Sequence, residues 1–191
     1  AMGGERDGIA RGGSGGSWPG VWSGRAQSVA SEAGLRLALD GDFVRRAPEG
    51  REAWAEDWIE RNLQPALDQL NPGVRHVFSQ DYARHRDFSS WGGHAITQDL
   101  RRQNVLTIEM HKVPYAQQRQ IVWYAIERLP MRCGGAMDAT GSGQALAEET
   151  ADKFGHDHVH QVILNRAWYS AWMPRLIQGF EDGLIDLPRD V

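Results

Sequence analysis

The chain has 191 residues, with 21 Lys and Arg against 25 Asp and Glu and a formal net charge of −4. Hydrophobic residues make up 41% and charged residues 24%, an ordinary balance for a globular protein of one domain with an appendage, and no apolar run approaches the roughly 20 residues of a membrane span or the pattern of a leader peptide. Cys133 is the single cysteine, which excludes an intramolecular disulfide and a thiolate zinc site and is compatible with a reducing compartment; the mild acidity argues against a protein that binds nucleic acid simply by neutralising phosphates.

Nine of the 22 glycines fall within residues 1–24. Such a segment has little to bury and much backbone entropy to lose, so residues 1–50 read as a flexible glycine-rich lead-in. The run at 12–16 lacks the Gly-Lys-Ser/Thr ending of a phosphate-binding loop. Within the lead-in, the apolar residues of Val29–Val44 suit a short hairpin or helix.

From Arg51 the pattern turns helical. Trp54, Trp58 and Leu63 share a face that predicts a docking stripe, and Pro65 interrupts that helix and opens another through Leu70. Residues 51–73 thus read as a helical linker or docking segment. Three strands are expected next, at Val74–Gln80, Phe88–Thr97 and Val105–Met110, with connections short enough for an antiparallel meander.

Pro114 then opens a helix carrying Ile121, Val122, Ala125, Ile126 and Leu129, which Pro130 stops. A small-residue strand at Cys133–Met137 follows, with Cys133 expected to be buried in it. The turn Gly141-Ser142-Gly143 leads into a helix bearing Leu146, Thr150 and Phe154, with Gly155 as its left-handed cap. His158–Leu164 reads as a buried strand and Tyr169–Phe180 as a last helix. The whole predicts an α/β sheet of mixed strand direction.

The chemical signal is a pair of aspartates. Asp81 and Asp138 each follow a short strand and precede a turn-prone segment. In open α/β sheets ligands gather at the carboxyl ends of the strands, so neighbouring strands would bring the two carboxylates together. Like charges at close range require a proton or a cation, and hard oxygen donors suit magnesium or manganese. The bland alternative is two turn residues that cap local backbone. Asp87 either caps the turn after Asp81 or assists the same cations, and Arg84 and Arg86, with His85 between them, form a small basic cluster able to contact phosphates.

Other features carry weaker chemistry. His156, His158 and His160 would share one face of a strand as a metal site, against the plainer reading of solvated residues entering a buried strand. Glu109 and His111 alternate along one strand face without implying catalytic geometry. No nucleophile-elbow sequence occurs, which disfavours a Ser-His-Asp hydrolase.

Three stretches together resemble a known family. Val77-Phe78-Ser79-Gln80-Asp81-Tyr82-Ala83-Arg84-His85-Arg86-Asp87-Phe88-Ser89 is similar to the first acidic motif of the nuclease domain of large terminase subunits from tailed phages, above all the Mu-like ones. Gly134-Gly135-Ala136-Met137-Asp138, continuing through the glycine turn to Glu148, resembles the family's second strand-end acid and following helix. Residues 167–190 resemble the segment after that, so the resemblance covers about residues 50–191 and its order carries more weight than any one motif.

The resemblance implies an RNase H-like fold: an antiparallel three-strand meander, then parallel strands, flanked by helices, over residues 74–191. It implies a two-metal endonuclease, using two Mg2+ or Mn2+ ions, that cuts concatemeric double-stranded phage DNA during packaging. Asp81 and Asp138 map onto the two strand-end acids that hold metal and Asp87 onto an accompanying catalytic acid of the first motif, while Arg84 and Arg86 rest on the local basic cluster alone, as phosphate contacts or as solvated loop arginines. The implied partners are a packaging ATPase domain, the small terminase subunit and the portal, with no membrane, in the cytoplasm of the infected bacterial host. Two departures stand out. The ATPase domain that the family places ahead of the nuclease is not expected in this sequence, and the third acid is expected either beyond Val191 or in another register, since Asp186 and Asp190 sit in a Leu-Pro-Arg context that does not match its position. The competing readings are a catalytically silent DNA-docking or assembly module and another RNase H-like enzyme, an integrase or a junction nuclease.

Overall fold

A computed structural model describes residues 29–31, 34–83 and 88–187 of the chain. Eight strands form one mixed sheet: β1 (Val29–Ser31), β2 (Gly34–Asp40), β3 (Arg75–Asp81), β4 (Ser89–Ile96), β5 (Arg102–His111), β6 (Arg132–Asp138), β7 (Val159–Val162) and β8 (Ile185–Asp186). Their order across the sheet is β1-β2-β5-β4-β3-β6-β7, with β8 pairing the start of β5. The expected meander is β3-β4-β5, antiparallel throughout. The expected parallel part is β6 beside β3 and β7 beside β6.

The sheet also takes in residues 29–40, part of the stretch that the sequence suggested was a lead-in. Leu35, Leu37 and Leu39 alternate with Arg36, Ala38 and Asp40, and β2 lies parallel to β5 with Leu37 opposite Ile108 and Asp40 opposite His111. Strands β1 and β2 pair antiparallel, so the hairpin alternative for this segment is the one that forms. Its partner strand lies some 70 residues later in the chain, which no local pattern announces.

Helices cover one face of this sheet. They are α1 (Pro48–Trp58), α2 (Gln64–Leu67), α3 (Tyr115–Arg128) and α4 (Gln144–Phe154). Between α1 and α2 the backbone makes a π-helical turn, Ile59–Leu63, in which the Gln64 N–H reaches Ile59 O. Pro65 brings no N–H to the regular helical ladder, and the widened turn carries the chain past it without a break. The docking stripe is real: Trp58 and Leu63 are buried in the same core as Phe78, Trp91, Leu106, Ile108 and Met110. Trp54 meets the ring of Phe43 edge-on at 4.0 Å. Even-numbered side chains of β3 and β5 point into this core and odd-numbered ones to the opposite face, as strand alternation requires.

Two glycines allow β6 to lie where it does. A Cβ on Gly135 would stand 2.4 Å from the ring of Phe78, and one on Gly143 would stand 2.5 Å from the Asp138 carbonyl oxygen. The burial expected of Cys133 is not found; the side chain is exposed. A register shift between His76 and Val77, with Gly134 at φ +134°, displaces the first residues of β6 from simple alternation. Gly155 ends α4 at φ +99°, positive as a glycine cap allows, but extended in ψ rather than left-handed helical. The last helix, α5 (Arg166–Glu181), contains Pro174, buries none of its residues and starts at Asn165, whose side chain accepts a hydrogen bond from the Trp168 N–H.

Candidate metal centre at the carboxyl edge of the sheet

Asp81 is the last residue of β3 and Asp138 the last of β6. The two strands are parallel neighbours in register up to Gln80 opposite Met137, so the next step sets Asp81 alongside Asp138. Registered residues of a parallel pair project to the same face, one strand spacing of about 4.8 Å apart. That face is the one away from helices α1–α4. Asp81 is exposed and Asp138 half-buried.

The surrounding hydrogen bonds hold the two strand ends. Asp138 Oδ1 accepts from the Thr140 N–H at 2.8 Å, and Thr140 Oγ1 accepts from the Leu164 N–H at 3.0 Å. The Ala139 N–H donates to Val162 O at 2.7 Å, continuing the β6–β7 ladder past Asp138. On the other strand, Ser89 Oγ donates to Ala83 O at 2.7 Å and accepts from the Ala83 N–H at 2.9 Å. Gln118, fully buried in α3, donates through Nε2 to Val113 O at 2.8 Å and to Ala83 O at 3.3 Å. Between Asp81 and these ties sits Tyr82, whose phenol is pushed well above its ordinary pKa, chiefly by burial. Its ring lies beside Gly143 and its hydroxyl by Thr150 of α4, on the helix side of the sheet.

One strand over on the same face, Ser79 Oγ lies 3.0 Å from His94 Nε2. Burial holds the His94 imidazole below its ordinary pKa, so the neutral ring is the favoured form. Further along the same edge, Asp40 Oδ1 meets His111 Nδ1 at 2.9 Å, and Phe88 stacks on the His111 ring with centroids 4.9 Å apart and a 30° tilt. Glu109, two residues below His111, is paired to Arg36 at 2.8 Å.

The donor set at Asp81 and Asp138 is all hard oxygen, from two carboxylates projecting side by side. That fits a divalent magnesium- or manganese-type cation and no soft metal. Among the described residues, no three His, Cys, Asp or Glu side chains gather as a metal site. The histidine cluster does not assemble on one strand. His156 and His158 precede β7 in a turn, His156 is paired to Asp152 at 3.0 Å, and only His160 lies on the strand. Arg84, Arg86 and Asp87 lie outside the described residues, as do His85 and Asp190. Asp186 is on β8, beside Gln103 at the opposite end of β5 from His111.

No family model matches the chain. Over 155 residues, 81% of the chain, it is 39% identical to the "Probable terminase, large subunit gp28" of Escherichia phage Mu. The chain belongs to the large terminase subunits of Mu-like phages. A second relative is the Mu-like prophage FluMu protein gp28 of Haemophilus influenzae, 37% identical over 159 residues and 83% of the chain. The matched part is 28% and 31% of these two proteins, so the chain spans under a third of the length of the curated relatives it matches. Among solved structures, the large terminase nuclease from thermophilic phage G20c, with bound magnesium, superposes with a TM-score of 0.51 at 15% identity, covering 63% of this chain and 61% of that one. The terminase nuclease fold read from the acidic motifs is thus the fold of the chain.

Proposed function

We propose that this part of a large terminase subunit is a metal-dependent endonuclease that hydrolyses phosphodiester bonds of concatemeric double-stranded phage DNA during packaging. The observation that supports this reading is the β3–β6 seam, which ends in two aspartates on one open face. Two carboxylates one strand apart repel, and capping of the Thr140 N–H by Asp138 accounts for one of them but gives no reason to set a second acid beside it. Asp81 and Asp138 are the residues that would hold Mg2+ or Mn2+, and the solved terminase nuclease of similar fold carries magnesium. Two such ions supply activation of the attacking water and stabilisation of the leaving oxygen.

The remaining work belongs to the chain itself. Asp138, fixed through Oδ1 by the Thr140 N–H, keeps its carboxylate oriented, and the Ala83–Ser89 tie fixes the end of β3 after Asp81. Arg84 and Arg86 are proposed to contact phosphate, with Asp87 as an accompanying acid. The packaging ATPase, the small subunit and the portal are the proposed partners, in the cytoplasm of the infected host. No helix of the described residues is long and apolar enough to cross a membrane.

The test is manganese binding by calorimetry together with nicking of supercoiled plasmid, for the parent and for Asp81→Asn and Asp138→Asn. Heat of binding and nicking are expected in the parent and lost in both variants, with folding intact by circular dichroism. A docking module would bind DNA without nicking it, and an integrase would join strands at defined ends. Unchanged manganese affinity in both variants would falsify the metal assignment.

A further inference from the structure

The same edge of the sheet holds a second residue pair, at the β2–β5 seam. Asp40 and His111 are opposite one another, each the last residue of its strand, and both project to the face that carries Asp81 and Asp138. Two strand spacings of about 4.8 Å and two residues of about 3.3 Å along the strand put His111 ~12 Å from Asp81. The His111 side chain is only 19% exposed, so its ring is held, while the stacked Phe88 is 49% exposed at the rim.

Asp40 Oδ1 accepts from His111 Nδ1 and thereby fixes the ring orientation. Nε2 is left as the second polar atom of the ring, and the imidazolium form donates from it. Arg36 neutralises Glu109 beneath the ring, which lowers the repulsion an approaching phosphate would meet. A cross-strand tie made only for stability needs neither an exposed aromatic on its ring nor a place on the metal-centre face. We infer that His111, oriented by Asp40 and backed by Phe88, is a DNA-backbone contact: Nε2–H donates to a phosphate oxygen a few nucleotides from the cut, and so seats the duplex on the Asp81–Asp138 centre. This rests on the nuclease reading and adds to it a residue that touches substrate away from the reacting bond.

Binding of a short blunt-ended duplex, measured by anisotropy with calcium in place of manganese to prevent turnover, tests the contact in His111→Ala, His111→Arg and Phe88→Ala. His111→Ala is expected to weaken binding about five- to tenfold, to flatten the dependence of log affinity on log salt, and to raise KM for plasmid nicking with kcat unchanged. His111→Arg restores affinity to within about twofold, because a guanidinium also donates to phosphate; a purely structural tie gives no reason for that rescue. Should His111→Ala melt too low to compare, Phe88→Ala, which removes only a rim ring, carries the test with an expected loss of about twofold to threefold. Parent-like affinity in whichever of these two variants folds overturns the inference. Loss of nicking in Asp81→Asn with parent-like DNA affinity in His111→Ala defeats this contact alone, whereas absence of nicking by the parent with manganese defeats the nuclease reading itself.

Discussion

The β3–β6 and β2–β5 seams are built alike and end differently. Each is a parallel pair whose last residues share a face at the carboxyl edge. One ends in two acids, Asp81 and Asp138; the other ends in an acid and an imidazole, hydrogen-bonded at 2.9 Å. The second pair satisfies itself within the protein. The first sets two like charges one strand apart, an arrangement that a bound cation would stabilise. The same scaffold thus supports a closed pair and an open one, and the open one is where the proposed chemistry lies.

The sharpest way to break this contrast is to remove charge from the open seam. Asp81→Asn and Asp138→Asn are each expected to lower plasmid nicking by roughly a hundredfold or more, since amides keep the shape and lose the charge that holds cations. In the absence of metal, both variants should melt at or above the parent temperature. A matching fall in metal-free melting temperature would show that the carboxylates serve the fold instead.

The next effect concerns the geometry of the open seam. Gly135→Ala must push against the Phe78 ring and carbonyl, and is expected to destabilise the fold by about 1–3 kcal/mol in urea titration. Metal then offers a direct readout: manganese at a hundredfold excess over its Kd should stabilise the parent by about 2.7 kcal/mol and leave Asp138→Asn unmoved in thermal melts. At the closed seam, Asp40→Asn should cost about 0.5–1.5 kcal/mol with or without metal. Stabilisation of Asp40→Asn by manganese equal to the parent's would confine the cation to the open seam.

The smallest expected effect lies between the seams, at His94. Its folded pKa is depressed by burial below the ordinary imidazole value of 6.5, so the unfolded chain binds more protons as pH falls below that value. Stability contributed by the neutral ring is present above pH 6.5 and is lost on acidification through the folded pKa. His94→Gln should therefore show a shallower fall in melting temperature between pH 6.5 and 5 than the parent. Parallel curves would exclude His94 as a source of the acid sensitivity.

Much of this was legible in the sequence, and the failures have physical causes. The meander and helices α3 and α4 came from periodicity and from Pro114, Pro130 and Gly155, and their observed bounds differ from the expected ones by a few residues at most. Asp81 and Asp138 were legible because both end short strands before polar turns; their adjacency was not, since it depends on β6 crossing over to lie beside β3. Asp40 was invisible as a partner of His111 because 71 residues separate them and only the β2–β5 register joins them. Cys133 was misread because small residues suggest burial, whereas the register shift at the start of β6 turns that side chain outward. The strand expected from His158 begins one residue later, at Val159, because α4 and its glycine cap keep His156 and His158 in a turn, and the plainer reading of these histidines as solvated residues entering a strand is the one that holds.

The paired hydrogen bonds between Ser89 and Ala83 have a consequence for engineering. The hydroxyl acts as one more rung of the β3–β4 ladder, beyond the Asp81–Ser90 pair, so Ala83 and Ser89 stay joined past the last registered residues. A peptide spliced between Ala83 and Ser89 would leave that staple, and with it the place of Asp81, intact. Such a splice would replace Arg84, Arg86 and Asp87, and so separates their proposed roles from that of Asp81.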